Sequence, residues 1–326
     1  MNPAAKITAF AAALAASFGA AYGVGLTAGP ETGATGSSER SGHAESSTPH
    51  TGEDPAGPPA GGLQVTEGGY TLDLRTPRVK AGQRSDLRFA IRDRTGQQVT
   101  EFQREHDKEL HLVLASRDLA TYRHVHPVRA ADGMWSTPVE LPAAGDYRVF
   151  ADFTPAGGKS TGLTLGADLA VSGPYKPAEL PEPAPTATVD GYTVALNGTL
   201  RPDTPERLTF TVRKDGRPVT GLQPYLGSYG HLVALRAGDL AYLHVHPEGG
   251  PGDGSTEPGP DVAFTATSPG PAAYRLFLDF KHGGKVRTAA FTVLSGAAAE
   301  DLRPAGPSDG PSDGHEDGPS DGGHGH

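Results

Sequence analysis

The chain has 326 residues, 36% of them hydrophobic and 20% charged, and Gly and Pro together make up about 23%, close to the range of low-complexity sequence. With no Cys, it cannot form a disulfide framework, a thiolate zinc ribbon, an iron–sulfur site, a cysteine nucleophile or a blue-copper centre. A formal charge of −10 argues against a nucleic-acid partner, which leaves 13 His beside only 2 Met as the feature to explain.

Residues 1–6 read as a short cytoplasmic stub ending in Lys6. The run 7–28 then carries no charge for 22 residues, long enough to cross a bilayer as a helix. It reads as a transmembrane anchor or, because Gly19, Ala20 and Ala21 offer small residues for cleavage, as a signal peptide. Both readings export the rest: a single-pass cell-membrane protein with its domains outside the cytoplasm, or a protein secreted after cleavage. Residues 29–61 are polar and rich in Gly, Ser, Thr and Pro, the composition of a disordered tether. Residues 174–188 are Pro-dense and read as a stiff linker. Residues 297–326 hold Pro-Ser-Asp-Gly three times and end Gly-His-Gly-His326, a His/Asp/Gly-rich tail that cannot bury a core.

Between these segments lies an internal repeat, at 62–173 and 189–296. The stretch His111 to Pro127 aligns without gaps on His231 to Pro247, with eight of 17 positions identical, three of them His. Gly-Tyr at 69–70 and 191–192 opens each copy, and Tyr-Arg-x-Phe-x-Asp-Phe at 147–153 and 274–280 closes it. Leu87, Phe89, Ile91 and Leu208, Phe210, Val212 alternate at period two, with turn signals at Thr95-Gly96 and Asp215-Gly216. No window has a capped helical period. The expected fold is all-β: two tandem immunoglobulin-like or CopC-like β-sandwiches.

Residues two apart on a strand share a face, so His124 and His126, and likewise His244 and His246, project side by side. The segment 111–127 reads as a hairpin turning near Ser116 to Leu119. If its register sets His111 opposite His124 or His126, three imidazoles share one face, and a one-residue slip removes His111. The expected metal ligands are therefore His111, His124 and His126 in the first copy and His231, His244 and His246 in the second. Imidazole without thiolate or thioether suits Cu(II) first and Zn(II) second. His106, His282, Asp152 and Asp279 are further ligand candidates, the aspartates alternatively as orienting groups. His106 and His282 have no counterpart in the other copy, where Leu226 and Pro155 stand.

At these residues the chain resembles exported, actinobacterial-type proteins with tandem modules of the pattern His-Leu-Val-x(5)-Asp-Leu-Ala-x-x-His-Val-His-Pro followed by Leu-Asp-Phe-x-His-Gly-Gly. The second copy follows that pattern closely and the first loosely. More distantly the modules are similar to the CopC-like and YtkA-like β-sandwiches, and the resemblance implies extracytoplasmic copper handling. CopC-like sites use a His at the mature N-terminus, which this chain lacks, so that ligand set does not carry over. The expected function is a metal-binding protein of chaperone, buffer or sensor type, with a membrane metal transporter or another exported metal-handling protein as partner. The rival is a surface adaptor whose histidines are scaffold or pH-sensitive. A catalyst is disfavoured. Glu248 comes too soon for a cupin, no dismutase ligand set is recognisable, and no nucleophile elbow or Walker loop is present.

Overall fold

The computed structural model describes residues 60–157, 162–243 and 245–296. The stub, the apolar span, most of the tether, the tail and the ligand candidate His244 lie outside the described residues. No helix among the described residues is long and apolar enough to cross a membrane.

The first repeat contains β1 (Thr66–Glu67), β2 (Tyr70–Leu74), β3 (Arg78–Lys80), β4 (Arg84–Arg92), β5 (His111–Ser116), β6 (Tyr122–Val125), β7 (Val128–Arg129), β8 (Met134–Glu140), β9 (Gly145–Phe153) and β10 (Leu163–Ser172). They form two sheets, ordered β1-β2-β4-β8-β7 and β3-β10-β9-β5-β6. The second repeat contains β11 (Thr186–Val189), β12 (Tyr192–Asn197), β13 (Pro205–Lys214), β14 (Arg217–Pro218), β15 (His231–Arg236), β16 (Val245–Pro247), β17 (Asp261–Thr267), β18 (Ala272–His282) and β19 (Lys285–Ser295). Its sheets run β11-β12-β13-β17-β16 and β15-β18-β19, with β14 paired to β13. The chain is thus all-β, with two tandem β-sandwiches.

Period-two alternation builds each sandwich core. Leu87, Phe89 and Ile91 of β4 face Leu112, Leu114 and Val149 across the first core, and Leu208, Phe210 and Val212 face Leu276, Leu278 and Phe280 across the second. Asp215 and Gly216, at φ 49° and 76°, close the two-residue turn between β13 and β14, as the Asp-Gly signal requires. Tyr147 and Tyr274 hold matching corners, each hydroxyl donating to a carbonyl four residues back, at Ala143 and Gly270.

A third apolar cluster lies between the repeats. The outer faces of the two His-bearing sheets meet there, through Val113, Ala115, Tyr122 and Phe150 from the first repeat and Val233, Leu235, Tyr242 and Phe277 from the second. Tyr122 stacks on Phe277 with centroids 4.1 Å apart, and the corresponding pair, Phe150 and Tyr242, lies at 5.5 Å. The strands that supply this cluster are therefore buried on both faces, and every residue of β5 is buried.

Gly61, assigned to the tether on composition, belongs to this arrangement. Its N–H and C=O exchange hydrogen bonds with those of Tyr242 at 3.0 Å, while Gly62 N–H donates to Thr164 O at 2.7 Å. The segment thereby bridges the two repeats. Gly62 sits at φ +74°, where a Cβ would come within 2.4 Å of the Phe150 ring, so only glycine passes here without strain.

Candidate metal centre

The hairpin of the first repeat has the register that gathers its histidines. Val113 is opposite His124 and Leu112 opposite Val125, which puts His111 opposite His126 and all three imidazoles on the outer face. The turn is closed by Leu119 N–H donating to Ser116 O, and Asp118 accepts from the Ala120 N–H within it. Asp239 does the same for Ala241, so both aspartates are turn residues.

The outer face of the first repeat is the one that meets the second, so the site is shared. One ligand nitrogen from each of His111, His124 and His231 lies within 4.8 Å of the others. His126 adjoins them, its ring 4.9 Å from His124 and 5.3 Å from His111. His106 flanks the group, 6.0 Å from His111 and 6.3 Å from His231. Its counterpart Leu226 occupies the same kind of tight turn in the second repeat, both at φ near +50°, so there the position is apolar.

The remaining candidates fall elsewhere. Among the described residues, the second repeat contributes His231 to the shared cluster. Its hairpin splits after Leu243, and β16 crosses to the opposite sheet, where His246 is opposite Thr265 and exposed. In the first repeat the crossing comes later, at β7, which keeps His126 with its neighbours. His282 is three residues beyond Asp279, an odd offset that turns it to the other face of β18; its Nδ1 lies 2.7 Å from the Tyr192 hydroxyl. Asp152 and Asp279 are cross-strand neighbours of His111 and His231. Asp152 accepts from Thr164, and burial pushes its carboxyl up to about 6. Asp279 accepts from Thr288 and lies 3.0 Å from His124 Nδ1, so it orients a histidine of the other repeat. Tyr122 also reaches Asp279, at 3.5 Å. Sequence reading missed Thr164, Thr288 and the part played by Tyr122. The two threonines sit opposite the repeated aspartates, a pairing visible only once the sheet register is known.

The hydrogen bonds fix the tautomers of two rings. His111 Nε2 lies 3.2 Å from the Glu105 carbonyl, an acceptor only, so Nε2 carries the proton and Nδ1 is left with its lone pair. His124 Nδ1–H donates to the Asp279 carboxylate, so in the neutral ring the lone pair is on Nε2. These two inner nitrogens face each other at 3.3 Å. That separation matches the N–N edge of a tetrahedron with metal–nitrogen bonds of about 2.0–2.1 Å. Two lone pairs in this position repel unless a cation sits between them. His126 Nε2 and His231 Nδ1 are also buried without a hydrogen-bond partner, which is costly unless something binds them.

Burial, reinforced by repulsion from His124, holds His111 down to about 3 and His126 down to about 4. His231 is held well below the usual imidazole range for the same two reasons. Neutral imidazole is the form that ligates metal. Nitrogen donors backed by a carboxylate suit Zn(II) and Cu(II), so the residues present fit such an ion.

A family model described as a domain of unknown function, DUF8832, matches residues 64–165 and again 187–297. The chain belongs to that family. One match falls on each sandwich, the first ending within β10, and together they confirm the duplication. No curated protein matches the chain. Among solved structures it is similar to FdeC, an adhesin of Escherichia coli, at 19% identity and a TM-score of 0.24, covering 70% of this chain and 64% of that one. It is similar to Salmonella alpha-2-macroglobulin at 13% identity and a TM-score of 0.25, covering 72% and 16%. InvD of Yersinia pseudotuberculosis matches at 13% identity and a TM-score of 0.23, covering 70% and 58%. The chain thus spans less than two thirds of each of these three structures. Likeness at these scores carries no argument about function. Neither the family model nor these structures connect the chain to CopC-like or YtkA-like domains.

Proposed function

We propose that this protein binds one divalent transition-metal ion, Cu(II) or Zn(II), at the histidine cluster between its repeats, and acts outside the cytoplasm as a binding protein of chaperone, buffer or sensor type rather than as an enzyme. The observation that carries the reading is the 3.3 Å approach of His111 Nδ1 to His124 Nε2, each ring having its other nitrogen against an oxygen, with two further buried nitrogens unpartnered beside them. In this reading His111, His124 and His231 are the ligands, His126 supplies a fourth nitrogen, and Asp279 holds His124 in the ligating tautomer. The third nitrogen of the triad, within 4.8 Å of the other two, closes by at most about 1.5 Å on binding if the site is tetrahedral, where the edge is near 3.3 Å. Delivery to a membrane transporter or another exported metal-handling protein follows from the same reading.

A second reading draws on the same hydrogen bonds. A proton on His124 Nε2, balanced by Asp279, would also separate the opposed nitrogens. The histidines would then be scaffold for a tandem surface module, whose repeats the apolar cluster holds together. Metal counting separates the two. The full chain, dialysed against Zn(II) or Cu(II) and then against a weak competing chelator, is expected to retain one more ion than a folded His111→Ala/His124→Ala variant. This difference discounts ions held by the tail. Equal retention by the two chains would eliminate the metal reading in favour of the scaffold. Asp279→Asn is expected to weaken binding about 10–100-fold, the usual effect of removing a carboxylate behind a ligating histidine.

A further inference from the structure

The cluster draws its nitrogens from both repeats. His111 and His124 stand on β5 and β6 of the first, and His231 stands on β15 of the second. The carboxylate behind His124 also comes from the second repeat, on β18. Separating the repeats would remove one member of the triad and the orienting group together. An ion held by all of them therefore binds the docked arrangement more tightly than the parted one, and by linkage its binding favours docking.

What otherwise holds the repeats together is the apolar cluster and the backbone pairing of Gly61 with Tyr242. The strand-free connection from the end of β10 at Ser172 to the start of β11 at Thr186 keeps the repeats covalently joined when parted. Opening and closing is then an equilibrium within one chain, with a high effective concentration of each face near the other.

Building on the metal-binding reading above, we propose that the ion is a staple between the repeats, so that metal load sets how often the two sandwiches part. A metal-loaded chain presents a closed pair of sandwiches. A metal-free chain opens along the Tyr122–Phe277 and Phe150–Tyr242 stacks and exposes the apolar faces of β5, β9, β15 and β18.

The chain has no Cys, so one introduced thiol reports opening without background. Ala115→Cys places the thiol in the inter-repeat cluster, four residues along β5 from His111. Ala290→Cys, on β19 against the same cluster, serves if the first variant folds poorly. Ala151→Cys, inside the first sandwich core, reports unfolding of that repeat instead. Rates of labelling by a thiol-reactive dye are compared in the full chain without metal and with Zn(II), and bound Zn(II) is counted in the same samples.

The expected result is that Zn(II), at about 100 times its half-saturating concentration, slows labelling at the inter-repeat position tenfold or more, up to the roughly 100-fold limit of simple linkage. Labelling inside the core is slowed much less, and His231→Ala removes the inter-repeat protection. If Zn(II) is bound but labelling between the repeats is unchanged, or slows equally at both positions, the staple is overturned while the metal site stands. If no Zn(II) is bound, a Zn(II) staple is overturned, and if the unsubstituted chain retains no Cu(II) either, the metal reading fails and the staple with it.

Discussion

Phe277→Ala is expected to cost the metal-free protein about 3–5 kcal/mol, the usual range for truncating a buried phenylalanine. Phe277 is 3% exposed, yet its ring lies outside both sandwich cores, stacked flat on Tyr122 of the other repeat at 4.1 Å. The Arg275 guanidinium lies 5.9 Å from its centroid, so the substitution also removes a cation–π contact. The stack itself adds about 0.5–1.5 kcal/mol beyond the area it buries. Phe150→Ala removes the equivalent ring and should cost a similar amount. Urea unfolding of the full chain measures both. A single transition should move to lower urea, or split into two as the repeats uncouple. A loss below about 1 kcal/mol with the transition unchanged would mean that the repeats only touch, and the shared site would lose its mechanical basis.

The second large effect is acid lability of the metal-free protein. In the unfolded chain the imidazoles take up protons near pH 6.5. In the folded chain His111 does so near 3 and His126 near 4, with His231 also far below 6.5. Between about pH 4 and 6.5 the unfolded state therefore binds up to three more protons at these sites, and stability falls as pH falls. Their contribution is fully present above pH 6.5 and is lost on the way down to the folded values. Asp152 works in the opposite direction. Its carboxyl is raised to about 6, so between its ordinary value near 3.8 and 6 the folded state binds one proton more. The net difference near pH 5 is about two protons, a slope of roughly 2–3 kcal/mol per pH unit at most. The turn aspartates held low by hydrogen bonds, Asp118, Asp239 and Asp253, act only below about pH 4, the range in which carboxylates titrate. Urea midpoints at pH 7.5 and pH 5 test the sum. A midpoint that holds steady or rises at pH 5 would show that the histidines are not buried neutral.

Much of this was legible beforehand because it depends on local periodicity. Alternating apolar residues in β4 and β13 specify strands, and duplication of the His-Leu-Val and Asp-Phe segments specifies two like domains. Side-chain parity along a strand puts His124 and His126 on one face. The same rule, applied from Asp279, turns His282 away, and its Tyr192 partner lies on that other side. A signal for the docked faces was also present. His-Leu-Val-Leu-Ala and Leu-Phe-Leu-Asp-Phe have no polar residue on every second position, the pattern of strands covered on both sides.

Local pattern alone determined the fold class, the repeat and the histidines that could share a face. Tertiary structure decided that His231 of the second repeat joins His111 and His124 of the first, because docking is a match between surfaces far apart in the chain and has no local period. It also decided where each strand leaves its sheet. β16 crosses soon after Leu243 and takes His246 to solvent, whereas the first repeat crosses only at Val128 and keeps His126 beside His111. The Val-His-Pro ends of two identical His-Val-His-Pro segments thus lie on different sheets. Backbone pairing across the sandwich, with β17 in one repeat and β8 in the other, sets the crossing point, and the four residues are the same in both copies.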